Sequence, residues 1–275
     1  MNDQTPPWAR SEPGQPTLEG VNWVGLSTLY IKEVRRFFKV HMQTVWAPAI
    51  TTLLYLVIFT VALGRAGKTV LGVPFADFIA PGLIMMAMLQ NSFANASFSL
   101  MVGKMQGTIV DYLMPPLSVG ELIAALVGAA VTRAFLVGGA VWLIMALYPG
   151  VHVTLTHPLS ALWFGLMGAL MLAFLGLMTS IWADKFDHAA VVTNFVVTPL
   201  SLLSGTFYSV TQLSPTFRAI SHANPFFYII SGFRHGFLGE SDSPVMVGAL
   251  GLLAVNIILF AACYALLRSG WKIKN

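Results

Sequence analysis

Residues 62–69 of the chain, ALGRAGKT, have the spacing of a nucleotide-binding motif. They match a relaxed phosphate-binding loop, in which backbone N–H groups and a lysine bind phosphates. A working loop of this type follows a buried strand and precedes a helix whose N-terminus faces the phosphates. This one follows a long apolar run, so we expect it to open on the outer side of a membrane and to bind no nucleotide.

Serine and histidine side chains in the second half of the chain could form a hydrolase site. Ser204 with His222 or His235 would supply the nucleophile and base of an intramembrane hydrolase. All three fall in one predicted external segment, and no glycine precedes Ser204 by two positions, so we interpret the pairing as chance. His152 and His157 have no cysteine or carboxylate nearby in sequence, which favours solvated histidines over a metal site.

The elements that would position any site are long apolar segments. Of the 275 residues, 56% are hydrophobic and 9% are charged, against about 25% charged in a soluble domain. A membrane-spanning helix needs about 20 apolar residues. Six windows qualify: 42–64, 78–103, 122–151, 158–183, 189–217 and 243–267. We predict an all-α membrane protein with six transmembrane helices, an N-terminal amphipathic interfacial helix, and short re-entrant external helices between spans 5 and 6.

The distribution of lysine and arginine predicts the orientation, because basic residues stay in the cytosol. With the N-terminus inside, the cytosolic side holds Arg10, Lys32, Arg35, Arg36, Lys39, Lys104, Lys185, Arg268, Lys272 and Lys274. The outer side holds Arg65, Lys68, Arg218 and Arg234. Both termini are therefore expected in the cytosol. The net charge of +4 is an asymmetry across the membrane and predicts no nucleic-acid partner, which would require a basic patch on a soluble face.

The N-terminal region divides into two parts. Residues 1–20 are rich in proline and predict a disordered cytosolic tail. Residues 21–41 carry apolar side chains at three- and four-residue spacing with charged residues off that stripe, which is typical of an amphipathic helix lying against membrane lipids at the inner interface. Residues 42–275 form the six-span domain.

The external segment between spans 5 and 6 contains two helix starts. Ser214-Pro215 and Asn224-Pro225 each place a capping residue before a proline at the first helical position. We predict two short helices, 215–222 and 225–238. The second is apolar enough to be re-entrant or packed against the outer leaflet.

Polar residues inside the spans are candidates for a substrate pathway. The second span carries Asn91, Asn95 and Ser99 at four-residue spacing. The fifth carries Asn194, Thr198, Ser201 and Gly205, followed by Tyr208. Hydrogen bonding between helices explains such stripes as well as a polar pathway does. Arg133, the one charged residue within a span, is interpreted as either a structural anchor or part of the pathway.

Residues 103–121 form a polar break between spans 2 and 3 that is longer than a simple turn requires. Its core is helix-like and Pro115-Pro116 fixes where the helix ends. We expect the loop to contact a cytosolic partner, with Asp111 and Tyr112 supplying polar and aromatic contacts. Glu121 begins the third span, where a negative charge is favourable, and Arg35 or Arg36 is its candidate ion-pair partner.

The same loop carries a resemblance to a known family. The sequence GTIVDYLMPPLS at 107–118 resembles the pattern G-T-x-x-x-L-x-x-x-P-x-S of ABC-2 type exporter permeases, with Tyr112 standing in an apolar slot. FIAPGL at 78–83 is similar to the family's F-x-x-P-G-L. SGTFY at 204–208, and NPFFY at 224–228 followed by Arg234, are similar to its external signatures. The four pieces occur in the family's order across residues 20–270.

The resemblance implies a permease subunit that is not an enzyme and carries no cofactor. Two copies would form a homodimer in the bacterial inner membrane, and two separate ABC ATPase subunits, holding ATP and Mg, would dock below. The implied coupling residues are Gly107, Thr108, Asp111, Tyr112, Leu113, Pro115, Pro116 and Glu121. The implied connecting helix carries Lys32, Glu33, Arg35 and Arg36.

The resemblance also implies the kind of cargo. Bacterial exporters of drugs, Nod factors and envelope glycans or lipids have the most similar pattern, so the expected cargo is an amphipathic or lipid-like molecule. We expect the dimer surface to include spans 2 and 5. The alternatives are an intramembrane hydrolase and a passive channel, neither of which needs a cytosolic docking loop.

Overall fold

The computed structural model describes residues 20–63 and 69–272. The predicted tail up to residue 19, and most of the phosphate-loop-like stretch at 62–69, lie outside the described residues. So do the predicted charge positions Arg10, Arg65, Lys68 and Lys274.

The described residues are almost entirely helical. The first half contains α1 (Trp23–Phe38), a π-helical turn (Met42–Trp46) leading into α2 (Ala47–Leu63), β1 (Thr69–Val70), β2 (Val73–Pro74), α3 (Phe75–Met105), α4 (Val110–Leu113) and α5 (Val119–Ala146). The second half contains α6 (Pro158–Trp182), α7 (Phe186–Val192), a π-helical turn (Thr193–Val197), α8 (Thr198–Leu202), a 3₁₀ turn (Val210–Gln212), α9 (Pro215–Ala223), α10 (Pro225–Leu238) and α11 (Val245–Ser269). The strands form one antiparallel hairpin, in which Val70 pairs with Val73.

Four helices among the described residues are long and apolar enough to cross a membrane: Met42–Ala62, Val119–Ala146, Pro158–Trp182 and Val245–Ser269. They confirm a multi-pass helical membrane protein. The other two predicted spans correspond to α3, whose amide and hydroxyl side chains make it less apolar, and to the broken helix α7–α8. The count of six spans remains a prediction.

Helix α3 lies at the centre of the subunit and packs against α2, α5, α6 and α10. Close contact with α6 depends on small residues, as is common between membrane helices. A Cβ atom on Gly176 of α6 would lie 2.6 Å from the carbonyl oxygen of Phe93, and one on Gly168 would lie 2.6 Å from Met85.

Helices α2 and α11 expose apolar side chains along most of their length, a surface suited to lipid or to another chain.

Helices α9 and α10 confirm the prediction of two short helices with proline at their first turns. Asn224 caps α10, accepting from the Phe226 N–H at 3.0 Å, and its amide donates to the Leu200 carbonyl at 3.1 Å. The cap therefore joins the start of α10 to the end of α8. Helix α10 is buried between α3, α6 and α11, so its apolar sequence is explained by packing within the subunit.

Candidate functional site

The loop between α3 and α5, predicted to lie in the cytosol, contains one helical turn, α4. Gly107 precedes it with φ 71°, a left-handed conformation that favours glycine, and the Thr108 N–H donates to the Gly103 carbonyl at 2.8 Å. Between residues 108 and 116 the exposed residues are Thr108, Val110, Asp111, Leu113, Met114, Pro115 and Pro116. We call this set the docking face.

Tyr112 does not belong to the docking face, so the prediction that it contacts a partner is wrong. Its side chain turns inward and is 7% exposed. Its ring packs against Gly103, where a Cβ atom would lie 3.2 Å from Tyr112 Cε2. Lys32 Nζ lies 3.9 Å from the ring centroid on the other side, a favourable cation–π distance. The aromatic ring in the family's apolar slot is thus a core residue of this subunit.

The Tyr112 hydroxyl donates a hydrogen bond to Glu33 Oε1 of α1 at 3.0 Å. Burial, together with the neighbouring Glu33 carboxylate, raises the pKa of the Tyr112 phenol above its usual value, because both disfavour a phenolate. The phenol is therefore a donor throughout the physiological pH range. This bond joins the docking loop to the amphipathic helix.

The Glu33 carboxylate, whose side chain is fully buried, contacts a third element as well. Its Oε2 accepts from Ser99 Oγ of α3 at 3.0 Å and lies 3.0 Å from Arg36 Nη2 in an i,i+3 ion pair. A buried carboxylate is tolerated only when paired and hydrogen-bonded, and three donors satisfy that requirement here. Glu33 therefore joins α1, α3 and α4 at one point.

Arginines from α1 and α5 extend these contacts along the same face of α3. Arg36 Nη2 donates to the Asn95 carbonyl at 3.0 Å and to Ser99 Oγ at 3.1 Å. Arg133 Nη2 donates to Asn91 Oδ1 at 2.9 Å. The predicted stripe of Asn91, Asn95 and Ser99 is therefore engaged in contacts between helices of one subunit. Of the two interpretations of the stripe, this geometry supports hydrogen bonding between helices; its role in a pathway stays a prediction.

Glu121 makes contacts other than the predicted ion pair. It forms a capping box with Ser118 at the start of α5, accepting from the Ser118 N–H at 2.7 Å, and its Oε1 accepts from the Asn22 N–H at 2.6 Å. The prediction that Glu121 pairs with Arg35 or Arg36 is wrong. Arg36 pairs with Glu33 instead, and the exposed Arg35 side chain has no ion pair among the described residues. Glu121 thus fixes the N-terminus of α1 to the end of the docking loop.

Lys104 makes a further connection at the cytosolic end. Its Nζ donates to the Ile181 carbonyl at 2.8 Å and to Asp184 Oδ1 at 3.2 Å. The hydrogen bonds from Lys104 and Lys272 hold the pKa of the exposed Asp184 carboxyl below its usual value. These contacts join the end of α3 to the end of α6.

The predicted polar stripe of the fifth span is only partly present. Asn194 is exposed, and Ser201 is buried with its hydroxyl donating to the Val197 carbonyl at 2.7 Å. The prediction fails after α8, because the helix ends at Leu202 and Gly205 adopts φ 75° in a turn. Tyr208, beyond that turn, donates to the Leu203 carbonyl at 3.1 Å and does not continue the stripe. Thr198 is half-buried.

The prediction that span 2 forms part of a dimer surface is also wrong for most of that helix, because α3 is buried within its own subunit. A half-buried line of α3, with Ala94 and Phe98, borders a cavity of about 480 Å³ shared with Phe186, Thr193 and Asn194. Span 5 also exposes Phe195 and Val196 outside this groove.

Sequence reasoning missed a buried ion pair between α10 and the loop that follows it. Arg234, interpreted from the sequence as an external charge, is 1% exposed. It lies 3.1 Å from Asp242 Oδ2 and donates to the carbonyl oxygens of Phe78 at 3.2 Å and Gly205 at 2.7 Å. The available signal was an arginine inside an otherwise apolar helix with an aspartate eight positions later.

The residues of the hydrolase alternative do not come together. Ser204 Oγ accepts from Asn224 Nδ2 at 2.9 Å. His235 lies 3.3 Å from Ser160 Oγ, and its ring is tilted against that of His157 with 4.7 Å between centroids. His222 packs edge-on against Phe227 at 5.1 Å, and no hydrogen bond joins Ser204 to either candidate histidine among the described residues. The part of the chain that is described contains no cluster of three or more histidine, cysteine, aspartate or glutamate residues able to bind a metal.

Comparison with known proteins identifies relatives over nearly the whole chain. The family model described as ABC-2 type transporter matches residues 25–238. The chain is 38% identical over 260 residues to the inner membrane transport permease YadH of Escherichia coli (strain K12), covering 92% of this chain and 98% of that protein. It is 25% identical over 253 residues to nodulation protein J of Rhizobium leguminosarum bv. viciae, covering 90% and 95% of the two chains.

Proposed function

Because the chain belongs to the ABC-2 type transporter family, we propose that it is the membrane-spanning permease subunit of an ATP-driven exporter. A separate ABC ATPase supplies the energy, with ATP and Mg bound on that partner. The cargo is an amphipathic or lipid-like molecule, or a drug, that leaves the cytoplasm or the inner leaflet. The observation that carries the proposal is that Glu33 joins three elements. It pairs with Arg36 within α1, and it accepts hydrogen bonds from Ser99 of α3 and from Tyr112 of the docking loop.

The composition of the docking face is suited to contact with a partner protein that would move the loop. It exposes apolar side chains, among which Met114 is 77% exposed, beside the carboxylate of Asp111. Exposed apolar side chains at a loop tip, next to a charge, are suited to a protein contact. A partner that seats on this face can displace α4 as a unit.

Movement of α4 reaches the membrane helices by direct contact. Tyr112, on the inner side of α4, contacts Glu33 of α1, and Glu33 contacts Ser99 of α3. A second connection runs from the Pro116 carbonyl, which accepts from Asn22 Nδ2 at 3.2 Å, to the N-terminus of α1. Coupling through packed, hydrogen-bonded groups is the physical form such transmission takes.

We propose a homodimer in the bacterial inner membrane with both termini in the cytosol. The lysine and arginine distribution supports this orientation, and a relative bears the name inner membrane transport permease. The apolar surfaces of α2, α11 and the α7–α8 segment supply area for a second copy and for lipid.

Co-purification tests the ATPase partnership. The chain is co-expressed with candidate ABC ATPases from the same genome and extracted in mild detergent. We expect one ATPase to co-elute, and Leu113→Glu on the docking face to abolish co-elution. The matched control, Leu147→Glu at the outer end of α5, introduces the same charge at a position 76% exposed and leaves co-elution unchanged. Equal co-elution of the parent and Leu113→Glu chains contradicts the proposal.

A further inference from the structure

The face of α3 that carries Asn91, Asn95 and Ser99 gathers more positive than negative charge. Glu33 and Arg36 approach it from α1, and Arg133 approaches it from α5. Arg36 is paired with Glu33 at 3.0 Å. Arg133 has no carboxylate partner among the described residues; its contact is the neutral amide of Asn91. The cluster therefore holds one uncompensated positive charge inside a helical bundle.

The two guanidinium groups are neighbours. Arg36 contacts Asn95 and Arg133 contacts Asn91, one helical turn apart, which corresponds to about 6 Å along α3. That distance separates the two contacted asparagines, and like charges on adjacent turns of one helix face repel where water is scarce. An arginine at membrane depth without a counter-ion marks a functional site by default. The unpaired charge of Arg133 therefore indicates a nearby anion that the described residues of the subunit do not supply.

The unpaired atoms of the cluster have the polarity that such an anion requires. Arg36 Nη1, Asn95 Nδ2 and Arg133 Nε are buried without a hydrogen-bond partner in the described part of the chain. All three are N–H donors, and Asn95 is 1% exposed. Buried polar groups are almost always paired. Three unpaired donors grouped on one helix face therefore point to a missing acceptor.

A groove along α1 leads to one member of the cluster. It has a volume of about 830 Å³, its lining includes Lys32, Arg35, Arg36 and Lys39, and Arg36 reaches from it to the Asn95 carbonyl of α3. An amphipathic helix of this kind lies at the level of the lipid headgroups. The basic residues at the groove attract anionic headgroups at the surface of a negatively charged leaflet.

We propose that Arg36, Asn95 and Arg133 bind the anionic headgroup of a lipid or lipid-like molecule that enters along α1 from the inner leaflet. A phosphate diester offers several acceptor oxygens to the three donors, and arginine matches phosphate geometry through paired N–H groups. The inference relies on the proposed function only for the inner-leaflet position of α1. Headgroup binding requires neither ATP nor a partner ATPase, so its test is independent of transport.

Thermal unfolding of the full chain in neutral detergent tests the site. Three probes are added at equal concentration: phosphatidylglycerol, phosphatidylcholine and inorganic phosphate. We expect phosphatidylglycerol to raise the midpoint temperature by several degrees and the other two to leave it nearly unchanged. An equal rise with inorganic phosphate overturns the lipid part of the proposal, and an equal rise with phosphatidylcholine overturns the requirement for an anion.

Variants separate a built site from diffuse surface charge. Arg133→Gln is expected to weaken phosphatidylglycerol binding at least tenfold, measured as the lipid concentration that gives half of the maximal shift. The control is Arg268→Gln, which removes the same charge from an exposed side chain in the last turn of α11, outside the groove along α1, and it is expected to change that concentration less than twofold. Equal weakening in both variants overturns the proposal.

Asn95→Asp keeps the test decisive if Arg133→Gln does not fold. An aspartate at this position places a carboxylate beside Arg36, whose Nη2 lies 3.5 Å from Asn95 Oδ1, and replaces the unpaired amide donor with an acceptor that repels an anionic headgroup. We expect the variant to lose the response to phosphatidylglycerol. A variant that keeps the parent's full lipid response contradicts the site.

Discussion

Tyr112, in the helical turn α4 between α3 and α5, donates a hydrogen bond to Glu33 of the amphipathic helix α1 at 3.0 Å, and both side chains are buried. The two residues are far apart in sequence, and the Lys32 side chain of the same helix also contacts the Tyr112 ring. Because Glu33 also contacts Ser99 of α3, this one hydrogen bond connects the surface available to a partner with the centre of the membrane bundle.

The first prediction concerns that bond. Tyr112→Phe keeps the ring and the Lys32 contact but removes a donor to Glu33, which is expected to cost about 1–3 kcal/mol, the penalty for leaving a buried acceptor unsatisfied. Transport falls relative to ATP hydrolysis while ATPase association persists, because the docking face is untouched. The measurement is transport per ATP hydrolysed at matched membrane levels. Tyr208→Phe, which removes a hydroxyl at the outer side, is the control and leaves that ratio at the parent value.

The second prediction concerns the Glu33–Arg36 pair. Glu33→Gln and Arg36→Gln each lower stability, by about 1–3 kcal/mol, because each leaves one charge of a partly buried pair uncompensated. The double variant is expected to lose less than the sum of the two single losses. Chemical denaturation in mixed micelles measures all four proteins. Strict additivity would show that the two side chains do not interact.

The third prediction concerns the packing of α3 on α6. Gly176→Ala places a Cβ atom 2.6 Å from the carbonyl oxygen of Phe93, so the helices must separate, at a cost of about 1–3 kcal/mol. Gly251→Ala in α11 is the matched control, because no atom lies within 4 Å of the added Cβ. The midpoint of thermal unfolding falls for Gly176→Ala and stays or rises for Gly251→Ala. Equal midpoints for the two variants contradict the central position of α3.

The fourth prediction concerns the buried pair at the outer end. Asp242→Asn leaves Arg234 without its counter-charge, and removal of one partner from such a pair typically costs about 3–5 kcal/mol. Asp184→Asn removes an exposed carboxylate at the cytosolic end and is expected to change stability little, because solvent screens exposed ion pairs. Yield of folded protein from membranes, followed by thermal unfolding, checks both. Comparable loss in the two variants would mean that burial of the Arg234 pair has no energetic consequence.

Local signals in the sequence were sufficient where the structure depends on local chemistry. The capping asparagine and proline at 224–225 predict the start of α10, because both act on the first turn alone. The apolar length of α5, α6 and α11 predicts membrane helices for the same reason.

Tertiary contacts decide the features that the sequence did not predict. A four-residue helix has no periodicity from which its buried face can be read, so Tyr112 was assigned to the surface. Arg234 was counted as an external charge, because only the fold brings the Phe78 and Gly205 carbonyls to it. In the predicted fifth span, the helix α8 ends at Leu202 although the apolar composition continues. The turn at Gly205 and the Asn224 contact, rather than hydropathy, end it.

Cross-linking at the docking face tests most directly the claim that a separate ATPase drives this permease through the cytosolic loop. Met114→Cys and Leu147→Cys introduce thiols of nearly equal exposure, 77% and 76%, at opposite ends of the molecule, while the native Cys263 is buried. A short cysteine-to-lysine reagent is applied to membranes that contain the chain and its ATPase. The account predicts a covalent adduct of permease and ATPase for Met114→Cys alone. An adduct that forms equally at both positions, or no adduct at Met114 in a complex that hydrolyses ATP and transports, contradicts the account.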